Sequence, residues 1–218
     1  MTDDLDRVYA RRFGTTEQAS KEDVWDPIVD FLERFFVDGP VLDIASDRGY
    51  FIRHAPGIER WATDLRNVAD SLPPDVRFVQ GDGLALREVL PADYFAVAFL
   101  SNYLEHLPSR DAVVEQLRVV YALLRPGGRV IVLQPNIRLL GGAYWDFIDH
   151  KVPLTDRSLE EAAETVGFRT HALIPRFLPY TTKGRLPKSK ALVRLYLVLP
   201  LAWRVLGKQT LYVGERPL

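Results

Sequence analysis

Apolar positions fall into short blocks separated by polar turns that carry glycine or proline, and the spacing within the blocks switches between helical and extended periods. Residues up to about Ser20 show no clear period and read as a mobile arm. Behind Ser20 as a cap, Trp25, Ile28, Val29, Leu32, Phe35 and Phe36 recur at helical spacing, which predicts a helix from Lys21 that Asp38, Gly39 and Pro40 end. Val41 to Ile44 is a short apolar-biased strand carrying Asp43. A polar turn follows, Gly49 opens a predicted helix, and His54 to Gly57 break it. Ile58 to Thr63 reads as a second strand ending on Asp64, and Val76 to Gln80 as a third, closed by Gly81, Asp82 and Gly83. Tyr94 to Leu100 is apolar nearly throughout, as expected of a strand covered on both faces. Ser109 caps a helix whose Val113, Val114, Leu117, Val120, Tyr121 and Leu124 form one stripe, and Arg125 to Gly128 stop it. Arg129 to Leu133 is a fifth strand. Thr155 caps a helix that runs to Val166 and ends at Gly167, Phe168 to Leu173 is a sixth strand, and Thr210 to Val213 a seventh.

Strands alternating with helices in this way predict an α/β fold: a doubly wound, Rossmann-like, mostly parallel sheet of seven strands with helices on both faces. The chain divides into an arm and helix at 1–38 and one domain at 39–218, in which 137–153 and 175–208 read as a substrate-side loop and a basic, apolar tract. A chain of 218 residues with 47% hydrophobic and 26% charged residues excludes a largely disordered protein. The absence of cysteine excludes disulfides and thiolate metal sites. The opening MTDDLDRVYARR is acidic at once and lacks an apolar segment, which predicts a cytoplasmic location. A net charge of −1 gives no global attraction to nucleic acid, and no nucleic-acid partner is expected. Charge is unevenly placed, however: no acid lies between Glu164 and Glu215, where Arg169, Arg176, Lys183, Arg185, Lys188, Lys190, Arg194, Arg204 and Lys208 all fall. Within that tract Ala191 to Leu206 is strongly apolar. Arg194, Arg204 and Pro200 prevent it from reading as a membrane span, so it is core, interfacial helix or substrate wall.

In doubly wound folds ligands bind outside the carboxyl ends of the strands. The polar residues there are Asp43 and Ser46 after the first strand, Asp64 after the second, Asp82 after the third, and Ser101 and Asn102 after the fourth. An acid closing the second strand is placed to accept hydrogen bonds from ribose hydroxyls, and Asp82 to bind a purine amino group. Asp also caps turns wherever loops occur, which explains any one of these acids but less readily three in register.

The blocks VLDIASDRG, WATD, VRFVQGDG, YFAVAFLSNYLEHL and LLRPGGRVIVLQPN resemble, in order and spacing, the class I S-adenosylmethionine-dependent methyltransferases over about Val41 to Asn136. The resemblance implies S-adenosylmethionine as cofactor. It also implies a cofactor-facing set of Asp43, Ala45, Ser46, Asp47, Gly49, Asp64, Leu65, Gly81, Asp82, Gly83, Ser101 and Asn102. The tract from GGAYWDFIDH to IPRFLPYTTK is similar to bacterial methyltransferases associated with cell-surface glycan assembly. It implies a small-molecule, sugar or lipid-linked acceptor and O-methylation. In the tail, basic residues interleave with Tyr180, Leu192, Leu195, Tyr196, Leu197, Leu199, Leu201 and Trp203. That pattern suits an anionic or lipid-linked acceptor and peripheral contact at the inner membrane surface through 183–206, although stems snorkelling from a packed helix give the same pattern.

One departure stands out: the family reads Gly, any, Gly, any, Gly after its first acid, whereas this chain has Ala45, Asp47 and Gly49. Ala45 adds one methyl group. Asp47 adds a carboxylate that either binds the methionine ammonium or repels its carboxylate, at a position that demands φ above zero. A catalytically silent, scaffold-like relative is therefore the main rival, and a nicotinamide oxidoreductase a third reading that wants a glycine turn this chain lacks. For a hydroxyl acceptor the candidate bases are His106 beside Glu105 and His150 beside Asp149, the latter in an aromatic loop that reads as a lid. His54, His106, His150 and His171 are scattered without ligand spacing, so no metal is expected.

Overall fold

The computed structural model describes residues 16–57, 59–180 and 189–218. Seven strands, β1 (Val41–Ile44), β2 (Arg60–Asp64), β3 (Val76–Gln80), β4 (Phe95–Ser101), β5 (Leu124–Pro135), β6 (Arg169–Ile174) and β7 (Gln209–Glu215), form one sheet. Their order is β3-β2-β1-β4-β5-β7-β6, and β7 alone runs antiparallel to both of its neighbours. The α-helices are α1 (Thr16–Leu32), α2 (Arg110–Leu123), α3 (Ile137–Leu140), α4 (Asp156–Val166), α5 (Lys190–Leu197) and α6 (Pro200–Leu206). The doubly wound reading is thereby met.

Period-two alternation along the central strands sends successive side chains to opposite faces. Leu42, Ala98, Leu100, Val130 and Val132 meet Val113, Leu117 and Val120 of α2 and Leu159 and Ala163 of α4 on one face. Val41, Val97, Phe99, Ile131 and Leu133 meet Ile28, Val29 and Leu32 of α1 on the other. Phe99 is 1% exposed, stacks on Phe51 at 3.8 Å between ring centroids and takes the edge of Trp25 at 5.9 Å. Truncating it to Ala would cost about 3–5 kcal/mol, the usual range for a buried ring.

Where local chemistry decides, the elements fall as expected. Ser109 caps α2 by accepting from the Ala112 N–H, Thr155 and Ser158 form a reciprocal capping box on α4, and Gly167 ends α4 at φ +115°. Elsewhere the structure corrects the sequence reading. Helix α1 begins at Thr16, so Ser20 lies inside it and not ahead of it; the rest of the expected arm, before Thr16, lies outside the described residues. The helix expected after Gly49 does not form, and the segment is a run of turns. Ala45, Asp47 and Gly49 all hold positive φ, +57°, +49° and +70°, and this alternation of left-handed residues is incompatible with a helix start. Strand β5 begins at Leu124 rather than Arg129, with an irregularity opposite Phe95 to Val97 that absorbs the Arg125 to Gly128 turn. Ala191 to Leu206, left open as core, interface or wall, becomes α5 and α6, joined at Pro200, with the Trp203 ring against Phe31 and Phe177.

Candidate active site

Strand β1 delivers Asp43, 3% exposed, to the carboxyl edge of the sheet. Burial pushes its carboxyl well above the ordinary range; the Ile52 N–H that it accepts opposes this, and the nearby Asp64 and Asp47 reinforce it. The turn that follows is held from outside. Asp47 donates its backbone N–H to Asp64 Oδ2 at 2.9 Å, while its Oδ1 accepts from Arg66 Nη2 at 2.7 Å. Asp64 Oδ1 accepts the Arg66 backbone N–H at 2.9 Å and Nε at 3.2 Å, and Arg66 Nη2 reaches Oδ2 at 3.5 Å. Two carboxylate oxygens offer about four acceptor positions, so Asp64 is filled by its own loop and the β1 turn. Burial disfavours the Arg66 charge, but the two aspartates more than offset this and hold the guanidinium protonated. The Asp47 carboxylate that the sequence flagged is therefore neutralised by Arg66, a residue the sequence reading passed over although it stands two positions from Asp64.

Asp47, Arg48, Arg66, Asn67, Val68, Ser71 and Gln80 line an open cleft of about 550 Å³ beside this turn. Leu65, next to Arg66 in sequence, is 42% exposed. Asp82 caps the short 3₁₀ turn Gly83–Glu88 through the Leu84 N–H, so the bland capping role of that acid is present. Gly83 has a packing reason of its own: a Cβ there would run into Gln116 Oε1 at 2.6 Å and into the Tyr103 hydroxyl bonded to it. Gly81 closes β3 by donating its N–H to the Asp64 carbonyl. Ser101 and Asn102 end β4, the latter at φ +49° with its amide on the Ser101 hydroxyl.

A second group of polar residues lies three residues further on. Glu105 and His106 sit on the 3₁₀ turn Leu104–His106, and the Glu105 carbonyl accepts the N–H groups of Lys151 and Val152 at 2.8 and 3.1 Å. Those two bonds fold the loop after β5 onto the end of β4 and bring His150 to His106, with ring centroids 5.1 Å apart. His106 Nδ1 lies 3.0 Å from the Asp149 carbonyl oxygen and 3.4 Å from its Oδ2. Glu105 is 1% exposed, accepts from Gln134 Nε2 at 3.1 Å, and burial raises its carboxyl above the ordinary range. All four residues named as candidate acids and bases thus meet in one place, together with Gln134, which the sequence reading quoted inside a motif without a role. The aromatic loop is less lid-like than expected: Tyr144 is fully buried and bonded to the Val152 carbonyl, while Trp145 and Ile148 are exposed.

S-adenosylmethionine is a test of the first region rather than the second. A buried Ser46 hydroxyl with no hydrogen-bond partner sits in the β1 turn, among three left-handed positions that keep the backbone open, next to acids that suit an ammonium group and a ribose. The residues fit the cofactor, with the condition that Asp64 must exchange a contact it already makes.

This fold and edge define a class I methyltransferase. A family model described as a methyltransferase domain matches residues 16–173, and the chain belongs to that family, whose methyl donor is S-adenosylmethionine. The chain is similar in fold to a SAM-dependent methyltransferase from Archaeoglobus fulgidus, with 18% identity, 88% of this chain and 94% of that one covered and a TM-score of 0.62. It is likewise similar to an S-adenosylmethionine-dependent methyltransferase from Mesorhizobium loti, at 16% identity, 88% and 98% coverage and a TM-score of 0.64. The cyclase SpnF shares the architecture as well, at 18% identity, 88% and 81% coverage and a TM-score of 0.62. At these identities the likeness is one of fold. No curated protein matches the chain in sequence.

Proposed function

We propose that the protein transfers the methyl group of S-adenosylmethionine to a hydroxyl of a small-molecule, sugar or lipid-linked glycan acceptor. The single observation that supports this reading is the placement, on one sheet edge, of a cofactor-shaped turn and a Glu105, His106, Asp149 and His150 cluster joined to it through Ser101 and Asn102. The bound cofactor supplies an electrophilic methyl, so the protein must align the acceptor oxygen and remove its proton. Asp43, Ala45, Ser46, Asp47 and Gly49 would hold the methionine part, Asp64 and Leu65 the ribose side, and Gly81, Asp82 and Gly83 the adenine, with Ser101 and Asn102 as a wall. His150, with Nε2 4.0 Å from Glu105 Oε1, is the proposed base, and His106, whose Nδ1 is held at Asp149, is its neighbour.

The lipid-linked class of acceptor draws on the tail. Leu195, Val198, Leu201 and Val205 of the α5 to α6 region are 54%, 70%, 73% and 75% exposed, an unpartnered apolar face suited to the boundary of a bilayer. Lys190 and Arg194 pair with Asp26 and Asp30, so the attraction rests more on apolar contact than on charge; Lys183, Arg185 and Lys188 lie outside the described residues. Among the described residues no helix is long and apolar enough to cross a membrane. A peripheral, cytoplasmic enzyme is the location this reading implies.

Parallel calorimetric titrations with S-adenosylmethionine, S-adenosylhomocysteine and NAD test the reading, with Asp64→Ala as control. The expected result is binding of the first two only, about 5- to 150-fold weaker in the variant, the scale of about 1–3 kcal/mol for unpairing buried polar groups. No binding by the folded wild type would favour the catalytically silent rival, for which the carboxylate of Asp47 in the turn is the specific observation.

A further inference from the structure

Glu105, His106 and His150 present one carboxylate oxygen and two imidazole nitrogens that all lie within 4.8 Å of one another. We propose that these three side chains bind a divalent first-row transition cation of the zinc class. The inference goes beyond the proposed transfer reaction and does not depend on the acceptor. Glu105 Oε1 lies 3.8 Å from His106 Nε2 and 4.0 Å from His150 Nε2. Ligands about 2.1 Å from a tetrahedral cation are roughly 3.4 Å apart, so small side-chain shifts close the site.

The surroundings are those of a ligand set. The Asp149 carbonyl beside His106 Nδ1 fixes that tautomer as the N–H donor and turns Nε2, with its lone pair, toward Glu105. Gln134 Nε2 occupies Glu105 Oε2 and leaves Oε1 facing the imidazoles. The rings are braced as well, His150 by Tyr144 at 4.8 Å and Phe147 at 5.3 Å between centroids. Two imidazoles with one carboxylate suit zinc, cobalt or iron better than magnesium or calcium, which prefer oxygen-only sets. Three protein ligands leave a fourth position. The solvent-facing member of the set is His106, whose side chain is 24% exposed while Glu105 is 1% and His150 5%. The cation and a proton compete for the same His150 lone pair, so a loaded site would lower the pKa of a coordinated acceptor hydroxyl, whose proton would pass to solvent instead of to the imidazole.

The test uses the full chain, free of any histidine tag and stripped with a chelator. Zinc chloride is titrated calorimetrically, and cobalt chloride by visible absorption. The expected result is one equivalent bound with a micromolar or tighter dissociation constant, and cobalt bands of four- or five-coordinate intensity. His106→Ala and His150→Ala should each weaken binding at least about 10-fold, in line with loss of a ligand. S-adenosylhomocysteine affinity, measured on the same samples, reports folding and tests the cofactor site separately; if His150→Ala fails to bind it, His106→Gln takes its place. Absence of saturable binding to the wild type, or equal binding by folded variants, overturns the proposal and leaves the cofactor assignment standing.

Discussion

Arg66→Ala should loosen the protein and tighten its hold on the cofactor. The guanidinium bridges two carboxylates, at 2.7 Å to Asp47 and 3.2 Å to Asp64, with side-chain exposures of 18%, 33% and 8% for Arg66, Asp47 and Asp64. Exposed pairs contribute about 0–1 kcal/mol and loss of one partner from a fully buried pair costs about 3–5 kcal/mol. This site lies between those limits, and screening at Asp47 puts the expected loss of stability at about 2 kcal/mol. The two short bonds to Asp64 come from backbone N–H groups and survive the substitution; the two long ones, at 3.2 and 3.5 Å, come from the Arg66 side chain and vanish. A ribose diol would then find acceptor positions open instead of having to displace the guanidinium. If those two contacts together are worth about 1 kcal/mol net, affinity rises about 5-fold. Urea unfolding of the cofactor-free protein and calorimetric titration of S-adenosylhomocysteine read the two effects. A 10-fold weaker affinity in a folded Arg66→Ala protein would refute the reasoning and make the guanidinium a contact of the cofactor carboxylate.

At Asp47, Gly should leave cofactor affinity unchanged or raised, and Ala should be about 1 kcal/mol less stable than Gly, because φ +49° penalises a Cβ; equal urea midpoints would remove the strain argument, and complete loss of binding in Asp47→Gly would make the carboxylate a ligand contact. His150→Ala is expected to cut turnover about 10²–10⁴-fold with S-adenosylhomocysteine affinity within about 2-fold, and an unaltered single-turnover rate would leave His106, or no base, as the better model. Asp43 carries a raised pKa in the folded state, so its contribution to stability is complete below the ordinary carboxylate range and is lost as pH rises through the raised value. Asp43→Asn should therefore gain relative to wild type between pH 4 and pH 8 in cofactor-free urea melts, and a pH-independent difference would contradict the burial argument. For the tail, wild type should float with anionic liposomes with only modest salt sensitivity, and Leu201→Asp with Val205→Asp should not; a wild type that stays behind at low salt would end the membrane reading.

What could be read from sequence was whatever a few neighbouring residues decide. Ser109, Thr155 with Ser158, and Gly167 carry their structure in their own side chains or in the lack of one, and the alternation of apolar blocks carried the sheet. The Glu105, His106 and His150 cluster was illegible as a cluster, because a spacing rule detects ligands on one helix or hairpin. Here the three side chains come from loops at the ends of two adjacent parallel strands, and two backbone bonds to the Glu105 carbonyl set their approach. The helix after Gly49 failed for the opposite reason: glycine there signalled a helix start, whereas its φ of +70° makes it the third left-handed residue of a turn.

Asp47 shows how far a local departure can be judged without the fold. Its backbone angle could be anticipated from the glycine it replaces, since Asp enters the left-handed region more readily than most residues. Its charge could not be judged, because the answer lay at Arg66, across the β1 to β2 connection. Once that pair is seen, the turn has two separable parts: an N–H on Asp64 that any residue at position 47 would supply, and a carboxylate that only Arg66 makes tolerable. Removing both together, in Asp47→Gly with Arg66→Ala, should therefore be less damaging than the sum of the single substitutions, by about 0.5–1 kcal/mol in urea melts, and strict additivity would show that the pair contributes nothing to the turn.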